Sequence, residues 1–379
     1  MKEDGVPWQE TTLVAQRLEF VSLANQNGVP FRKLCDRFGV VPKTGYKWLR
    51  RYQEQGEGGL ADLSRRPHHS PTRTNTNVEE LVCAVRRAHP VWGGRKIRAV
   101  LLRQGHREVP APSTITGILR RHGLLELSPR PQRDLVRFEW EAPNELWQMD
   151  FKGDFITDGG RCYPLTVIDD HSRFNLCLET CPNQRGDTVK DRLVAVFGRY
   201  GLPQRMLMDN GSPWGHGGGH GHTVFTTWLV DLGIAVIHPR PFHPQTQGKD
   251  ERFHLTLQRE VLAGHPPWRS LGEVQAAFDA WRPIYNHQRP HEALDDAVPA
   301  DRYRPSPRSL PSIIEPWEYG PNDHVRKVSA NARISFRNRT IRVGKPFAGR
   351  HVALRPTKTD GVVELYYRHQ FIRRIDLSQ

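Results

Sequence analysis

The hydrophobic period of this chain changes near Asn144, and that change limits the possible folds more than any other feature. Beyond it, apolar residues alternate with a period of two, which predicts strands at about 145–155, 161–169 and 173–180. Helices and strands then follow at 187–200 (helix), 205–208 (strand), 223–232 (helix), 234–237 (strand), 247–262 (helix) and 270–286 (helix). This order predicts a mixed sheet covered by helices, an α/β layer architecture.

Upstream, apolar residues at helical spacing predict three helices over residues 11–55. The apolar face of the first helix consists of Val14, Leu18 and Val21. That of the second consists of Phe31, Leu34, Cys35 and Phe38, and that of the third of Gly45, Trp48, Leu49 and Tyr52. Gly39 suits the tight turn before the third helix and Pro42 its first turn, which gives a helix-turn-helix pattern. The opposite face of the third helix carries basic residues suited to phosphates and groove edges, namely Lys43, Lys47, Arg50 and Arg51. The alternative is a structural helical bundle with a solvated basic face.

A second three-helix pattern covers residues 78–88, residues 94–104 and a helix that Ser113 caps and that ends near Gly123. The middle helix of this pattern is basic, with Arg95, Lys96, Arg98 and Arg103. The pattern predicts another helix-turn-helix unit, which would lengthen the DNA site that one chain can read.

Pro- and Arg-rich stretches without apolar periodicity separate these regions and predict a multidomain chain. Alternation in Ile334/Phe336, Ile341/Val343 and Val352/Leu354 predicts a small β-barrel or sandwich at the C-terminal end. The predicted domains are 1–60 (helix-turn-helix), 61–77 (linker), 78–127 (second helix-turn-helix), 128–143 (linker), 144–298 (α/β core), 299–321 (Pro-rich connector) and 322–379 (small β-barrel).

The net charge of +14 and the pI near 9.9 favour a polyanionic partner over an acidic small molecule. Residues 1–135 hold 23 Lys and Arg against 13 Asp and Glu, a balance of +10, so the N-terminal third is the main electrostatic surface. A merely basic soluble protein is the alternative. Five cysteines (Cys35, Cys83, Cys162, Cys177 and Cys181) form no CxxC pair, which argues against disulfides and structural zinc and for a reducing cytosol. No apolar run approaches the roughly 18 residues that a membrane span needs, and the N-terminus begins no signal peptide.

Three acidic residues stand in informative contexts: Asp150 after Leu-Trp-Gln-Met, Asp209 before Asn-Gly-Ser, and Glu251 in Gly-Lys-Asp-Glu-Arg-Phe-His. The first two end strand-like apolar runs, and the third opens a helix whose stripe of Phe253, Leu257 and Val261 can pack on the sheet. Carboxylates supplied by distant elements are how a fold assembles a hard-cation site over a phosphate. Two divalent ions there can serve phosphodiester cleavage and joining without a Ser, Cys or Tyr nucleophile.

Other polar residues near these contexts have plainer interpretations. A lone acid is usually a solvated surface carboxylate, and Asp154, Asp158, Asp169 and Asp170 are interpreted so or as supports of the metal-binding acids. His216, His220 and His222 lie in a Gly-rich stretch that gives no rigid scaffold and no fourth ligand, so a mobile loop is preferred to a zinc site. The segment from His243 to Gly248 is interpreted as shaping the loop before the catalytic helix.

With these motifs, nearly the whole chain resembles a bacterial insertion-sequence transposase with a retroviral-integrase-type DDE core. Asp150, Asp209 and Glu251 match the family's metal-binding triad by context and order, and the segment from Tyr285 to Leu294 is similar to the one that closes the core. There are 58 residues between the two aspartates and 41 between Asp209 and Glu251. The second interval is longer than is usual in the family, and the excess is assigned to a surface-loop insertion at 214–222.

The resemblance implies an RNase H-like core, Mg²⁺ or Mn²⁺ as a pair of ions, and a homo-oligomer assembled on double-stranded DNA at the element's ends and its target. It also implies a bacterial cytoplasmic protein of the nucleoid, with no membrane partner. Further DNA-binding candidates are Lys249, Arg252, Gln258 and Arg259. Seven residues after the glutamate the family usually carries Lys or Arg, and this chain has Gln258. Because glutamine brings no phosphate-binding charge, Gln258→Lys is expected to raise strand transfer.

Three functions are compatible with these features. The leading one is a recombinase that cuts the element's ends and joins them to target DNA. The second is a metal-dependent nuclease on the same fold, against which the paired DNA-reading units argue. The third is a DNA-binding regulator on an idle core, against which the intact triad argues.

Overall fold

The computed structural model describes residues 12–26, 28–63, 74–125, 139–215, 221–238 and 248–377. The chain divides into two compact units, Met1–Arg73 and Thr74–Gln379, each with its own hydrophobic core. The predicted linker segments at 64–73 and 128–138 lie outside the described residues.

The first unit contains the three predicted helices, α1 (Leu13–Ala24), α2 (Phe31–Arg37) and α3 (Pro42–Gln55), followed by a 3₁₀ turn, Gly56–Leu60. Its core consists of Phe20, Val21, Leu34, Cys35, Trp48 and Leu60. The predicted face of α1 is wrong at Val14, which is 41 % exposed, because Phe20 enters the core instead. A Cβ on Gly45 would stand 2.8 Å from Phe20 Cζ and 2.9 Å from Cys35 Sγ, so a larger residue there would require these side chains to shift.

The second helical bundle has α4 (Thr76–Ala88), α5 (Gly94–Arg103) and α6 (Pro112–Arg121), close to the predicted spans. A core of eight residues joins them, namely Val82, Cys83, Trp92, Ile97, Leu101, Ile115, Ile118 and Leu119. Ser113 does not cap α6, because the helix already begins at Pro112, with Ala111 as its N-cap. Unlike the first bundle, this one belongs to the same compact unit as the residues that follow it, Thr74–Gln379.

The central region, from residue 144 onward, contains a mixed sheet. Its elements are β1 (Leu146–Phe151), β2 (Phe155–Thr157), β3 (Gly160–Asp169), β4 (Asn175–Cys181), α7 (Gly186–Tyr200), β5 (Arg205–Leu207), α8 (Val224–Asp231) and β6 (Ala235–Ile237). The strand order is β2-β3-β1-β5-β6, with β4 on the other edge of β3. Strand β1 is central: it runs antiparallel to β3 and parallel to β5. The strand predicted at 145–155 ends at Phe151, and a separate β2 forms a hairpin with β3.

Helices cover both faces of this sheet. On one face, Trp147 and Met149 of β1 are fully buried in the core that includes α7 and α8. The other face is covered by α9 (Gly248–Leu257), which continues as a π-helical turn at Gln258–Leu262, and by α10 (Leu271–His287). Because side chains alternate along a strand, Asp150 projects to the face opposite Met149. This is the α9 face, since the cross-strand partner of Asp150, Thr166, contacts His254 of α9.

The predicted connector is bound along the core. It starts with a short helix, α11 (Pro299–Arg302), after which Tyr303 stacks on Phe174 with ring centroids 4.3 Å apart. Ser306 N donates to Tyr200 O at 2.8 Å, and Arg308 donates to the carbonyls of Pro203, Leu232 and Gly233. The boundary predicted at residue 298 therefore does not mark the end of the core packing.

The C-terminal region has six strands, β7 (His324–Lys327), β8 (Arg333–Phe336), β9 (Arg339–Arg342), β10 (His351–Pro356), β11 (Val362–Tyr367) and β12 (Gln370–Asp376). They form an antiparallel sheet in the order β12-β11-β10-β7 and a separate β8–β9 hairpin, and a closed barrel is not confirmed. The sheet packs on the core, because the Gln370 amide bonds to both the N–H and the carbonyl of Val236 on edge strand β6.

Candidate active site and DNA-contact surfaces

Asp150 stands near the end of the central strand, half-buried beneath α9. Its Oδ1 accepts a hydrogen bond from Phe151 N at 2.8 Å. Burial, together with the negative charges of Asp209 and Glu251, raises the pKa of Asp150 to about 7. All three predicted carboxylates therefore act in one electrostatic environment, although they come from three separate segments of the chain.

A tight turn after β5 places Asp209. Gly211 N donates to Asp209 Oδ1 at 3.0 Å, and a Cβ on Gly211 would stand 3.2 Å from Asp209 Oδ2, so glycine leaves room for the carboxylate. Trp214 closes the turn by stacking on Phe151 of β1 with centroids 5.4 Å apart. Trp214 is 1 % exposed, so the surface-loop insertion predicted at 214–222 cannot begin there. This stack connects the Asp209 turn to the strand of Asp150.

Glu251 lies in the first turn of α9 with its side chain exposed. Phe253 and Leu257 are buried against the sheet, as predicted, which fixes the rotation of the helix. A hydrogen-bonded chain also joins this helix to β1: Thr166 Oγ1 donates to Asp150 O at 3.0 Å, so His254 Nε2 donates to Thr166 Oγ1 at 2.8 Å. Burial, followed by the positive charge of Lys152, lowers the pKa of His254 to about 4, which keeps the imidazole neutral in this contact.

A fourth acid, Asp250, was not singled out from the sequence. It is 1 % exposed, and within the part of the chain that the structure describes neither of its carboxyl oxygens has a hydrogen-bond partner. Burial raises its pKa well above the ordinary value, with further contributions from Asp150 and Asp170. Helical periodicity could have found it, because Asp250 precedes Phe253 and Leu257 by three and seven residues and so shares their inward face.

The acids fit a hard divalent cation by chemistry and charge. Carboxylate oxygens are the ligands that Mg²⁺ and Mn²⁺ prefer, and a cation would relieve the repulsion that raises the pKa of Asp150. Within the described part of the chain, no three His, Cys, Asp or Glu side chains lie close enough together to enclose a metal ion. The site thus has the charge of a metal centre without the closed ligand geometry of one.

Neighbouring aspartates have structural roles. Asp170 is fully buried and accepts hydrogen bonds from Gln148 Nε2 (2.6 Å) and Trp140 N (2.9 Å), beside the Lys249 ammonium at 2.5 Å. Asp169, also fully buried, accepts hydrogen bonds from Asn144 N at 2.7 Å and from the backbone and side chain of Ser172. The surface interpretation is therefore wrong for both, whereas Asp154 pairs with Arg161 nearer the surface and Asp158 is exposed.

The predicted DNA-binding residues on and beside α9 differ in how far their side chains are exposed to solvent. Arg252, Gln258 and Arg259 are exposed. Lys249 is mostly buried and pairs with Asp170, so it helps to anchor the start of α9 rather than present a free charge. Gln258 Oε1 accepts a hydrogen bond from Lys152 Nζ at 2.7 Å, a contact between α9 and the end of β1 that the sequence did not reveal.

Basic residues on α3 and α5 are used differently. Lys43, Lys47 and Arg50 of α3 are exposed, but Arg51 is 8 % exposed and donates to Ala61 O at 2.8 Å, so its assignment to DNA is wrong. On α5, the basic residues also contact the chain itself, although the Arg95 side chain stays 68 % exposed. Its basic residues contact the segment after α10: Arg95 pairs with Glu292 at 2.7 Å, Lys96 donates to Pro290 O at 3.2 Å, and Arg103 makes two bonds to Asp301 at 2.7 and 2.8 Å. Arg98 of the same helix is half-buried, and its Nε is buried.

The remaining predictions concern histidines, cysteines and membranes. His216, His220 and the loop at 239–247 lie outside the described residues, and burial followed by the charge of His238 lowers the pKa of His222 to about 4. All five cysteines are buried free thiols, in agreement with the absence of a disulfide framework. No helix among the described ranges is long and apolar enough to cross a membrane.

Several known protein families match parts of the chain. Residues 16–68 match a Helix-turn-helix domain and residues 44–119 a Homeodomain-like domain. Two Integrase core domain families match residues 141–244 and 232–299, which together contain all three predicted catalytic acids. Residues 323–379 match the C-terminal domain of IS481 family transposases.

Similar proteins come from insertion elements and retroviruses. An uncharacterized protein of insertion element IS407 from Burkholderia multivorans is 27 % identical, over 64 % of this chain and 87 % of that protein. A putative transposase of IS986/IS6110 from Mycobacterium tuberculosis is 24 % identical, over 61 % of this chain and 89 % of its own length. A simian T-cell lymphotropic virus intasome structure covers 79 % of this chain and 99 % of its own at 15 % identity, but its TM-score of 0.37 is too low to support an argument.

Proposed function

We propose that this chain, which belongs to the bacterial insertion-sequence transposases with an integrase-type core, cuts DNA at the ends of its element and joins those ends to target DNA. Its helix-turn-helix regions bind DNA. The exposed Lys43, Lys47 and Arg50 of α3 contact the terminal repeats, and Asp150, Asp209 and Glu251 form the catalytic centre within residues 144–298. The active form is a homo-oligomer that holds the two ends together.

One observation carries this proposal: burial and the charges of Asp209 and Glu251 together raise the pKa of Asp150 to about 7. Structural carboxylates are normally paired or hydrogen-bonded, as Asp169 and Asp170 are, because like charges held together are costly. Within the described ranges, none of the three acids forms an ion pair with a cation, and such a group of acids is a mark of function rather than of stability.

The three carboxylates would hold two Mg²⁺ or Mn²⁺ ions, which supply activation of the attacking oxygen and stabilisation of the leaving oxygen. The protein's own groups prepare the site. Phe151 N and Gly211 N orient the Asp150 and Asp209 carboxylates, and Thr166 with His254 fixes α9 relative to β1. The Trp214–Phe151 stack holds the Asp209 turn in place. Precise orientation of charged groups contributes to rate because little reorganisation remains at the moment of reaction.

The test is a cutting and joining assay with purified full-length protein, Mg²⁺ and a labelled duplex of the element's own end. Asp150→Asn and Asp209→Asn should each remove both products while DNA binding persists, because the amide keeps the shape of the side chain and loses its charge. Asp158→Asn is the matched control, since Asp158 is exposed and outside the proposed site. Cutting without joining would favour a nuclease, and binding with neither product would favour a regulator. Undiminished activity in EDTA would refute the metal dependence.

A further inference from the structure

Lys152 follows Asp150 by two residues and has no role in the chemistry proposed above. The chain stays paired beyond the end of β1, because Lys152 N donates to Pro164 O at 3.0 Å. Side chains two residues apart on an extended chain project to the same face, so Lys152 projects to the same side of the sheet as Asp150. This is the side covered by α9, which supplies Glu251.

The partner of Lys152 lies on the same helix as Glu251. Gln258 follows Glu251 by seven residues, which in a helix corresponds to two turns, about 10 Å along the axis and only about 20° around it. The Lys152–Gln258 hydrogen bond of 2.7 Å therefore links the strand that carries Asp150 to the helix that carries Glu251.

The chemistry of this contact preserves the positive charge. The amide oxygen of Gln258 accepts one of the three N–H donors of the ammonium and adds no negative charge. Across the described ranges, no carboxylate forms an ion pair with Lys152, whereas Lys249, which also lies near the acids, is paired with Asp170 at 2.5 Å. Gln258 thus orients an ammonium and leaves two donors for an anion, and the side chain of Gln258 is itself exposed.

We propose that Lys152, oriented by Gln258, binds the DNA phosphate next to the bond that is cut or joined. This inference rests on the proposed function and extends it, because it assigns a phosphate-binding residue at the end of β1 and makes Gln258 a positioning residue. The competing explanation is a structural bridge in which Lys152 only links β1 to α9.

Direct DNA binding separates these explanations. Binding of the labelled end duplex is measured against salt concentration in metal-free buffer, so that the readout does not depend on cutting. In Lys152→Gln, affinity should fall severalfold and the slope of log affinity against log salt should decrease by about 0.9, the value for one lost phosphate contact. Lys190→Gln, which removes an exposed lysine from α7, is the charge-matched control and should leave the slope unchanged.

A second probe locates the phosphate. The wild-type protein should bind a duplex with an uncharged methylphosphonate at the cut site more weakly than the unmodified duplex. The Lys152→Gln variant should bind both duplexes with the same, already reduced affinity. Additive losses would overturn the assignment, because the two changes would then remove different contacts.

The isosteric change Gln258→Glu tests the positioning role. It keeps the hydrogen-bond acceptor and pairs Lys152 with a carboxylate, so affinity for the end duplex should fall at least as far as in Lys152→Gln. A purely structural bridge would be strengthened, with higher thermal stability and unchanged DNA binding. The proposed function would fail separately, through a wild-type protein that neither cuts nor joins, whereas this inference fails if Lys152→Gln binds DNA like the wild type.

Discussion

The two helical bundles carry similar basic helices that make different contacts. On α3, Lys43, Lys47 and Arg50 are exposed. On α5, the charges of Arg95 and Arg103 are paired with Glu292 and Asp301, and the ammonium of Lys96 is bound to a carbonyl. A run of basic residues on an amphipathic helix therefore predicts an interaction with an acidic or polar partner, but it does not say whether that partner is DNA or the same chain.

DNA affinity should separate the bundles most clearly. The triple substitution of Lys43, Lys47 and Arg50 by glutamine should reduce binding of the end duplex on the order of a thousandfold and lower the salt slope by about 2.7, because three phosphate contacts are lost. The matched triple substitution of Arg95, Lys96 and Arg103 removes the same charge and should change the slope little. Equal salt slopes for the two variants would mean that both bundles contact DNA phosphates to the same extent, which would contradict the proposed difference.

Substitution of a closely packed glycine should destabilise the second bundle more than the first. A Cβ on Gly94 would collide with the backbone carbonyl of Pro112, which cannot move without shifting α6. A Cβ on Gly45 would meet the ends of the Phe20 and Cys35 side chains, which can turn aside. Gly94→Ala should therefore cost about 3 kcal/mol of unfolding free energy and Gly45→Ala about 1 kcal/mol, measured by chemical denaturation. The reverse order would show that the first bundle is packed more rigidly.

The pH dependence of folding stability should show that Lys96 is buried against the rest of the chain. Burial, followed by the charge of Arg289, lowers its pKa from 10.5 to about 8. Because the folded protein binds this proton less tightly than the unfolded chain does, stability should increase as the pH rises from about 8 to 10.5. The difference between the wild type and Lys96→Met, followed by denaturation at each pH, isolates this contribution. If the difference in stability between the two proteins does not change with pH, Lys96 is solvated, as a DNA-binding lysine would be.

The Arg103–Asp301 pair should give the smallest effect. Its side chains are 50 % and 37 % exposed, so solvent screening limits the coupling to roughly 0.5–1 kcal/mol despite two hydrogen bonds. A double-mutant cycle with Arg103→Gln and Asp301→Asn measures it. The hydrogen bond from Arg103 lowers the pKa of Asp301, so the coupling should be present at neutral pH and disappear as the pH falls through that lowered value. Coupling that persists in acid would contradict the ion pair.

Local patterns predicted most of the fold. The periods of 3.6 and 2 located the helices and strands, because burial of one face is encoded within each segment. The errors have physical causes. The strand through Phe151 ends early since β2 pairs separately with β3, and Ser113 lies inside a helix that already begins at Pro112.

The candidate site was only partly predictable. Contexts around Asp150, Asp209 and Glu251 pointed to carboxylates at the ends of elements, which depends on local sequence. Contacts between distant segments could not be predicted from the sequence. One of them alters the expected role of Gln258, because the ammonium of Lys152 already supplies a positive charge beside it. Gln258→Lys would place two ammonium groups together, so the gain in strand transfer expected from sequence should not occur.

In the proposed active site, carboxylates from β1, from the turn after β5 and from α9 bind divalent ions jointly. The most direct measurement is Mn²⁺ binding to the full-length protein, followed by the electron paramagnetic resonance signal of free Mn²⁺. Asp150→Asn, Asp209→Asn and Glu251→Gln should each weaken binding strongly, with Asp158→Asn unchanged. If Glu251→Gln binds Mn²⁺ as tightly as the wild type, the three acids do not form one metal centre.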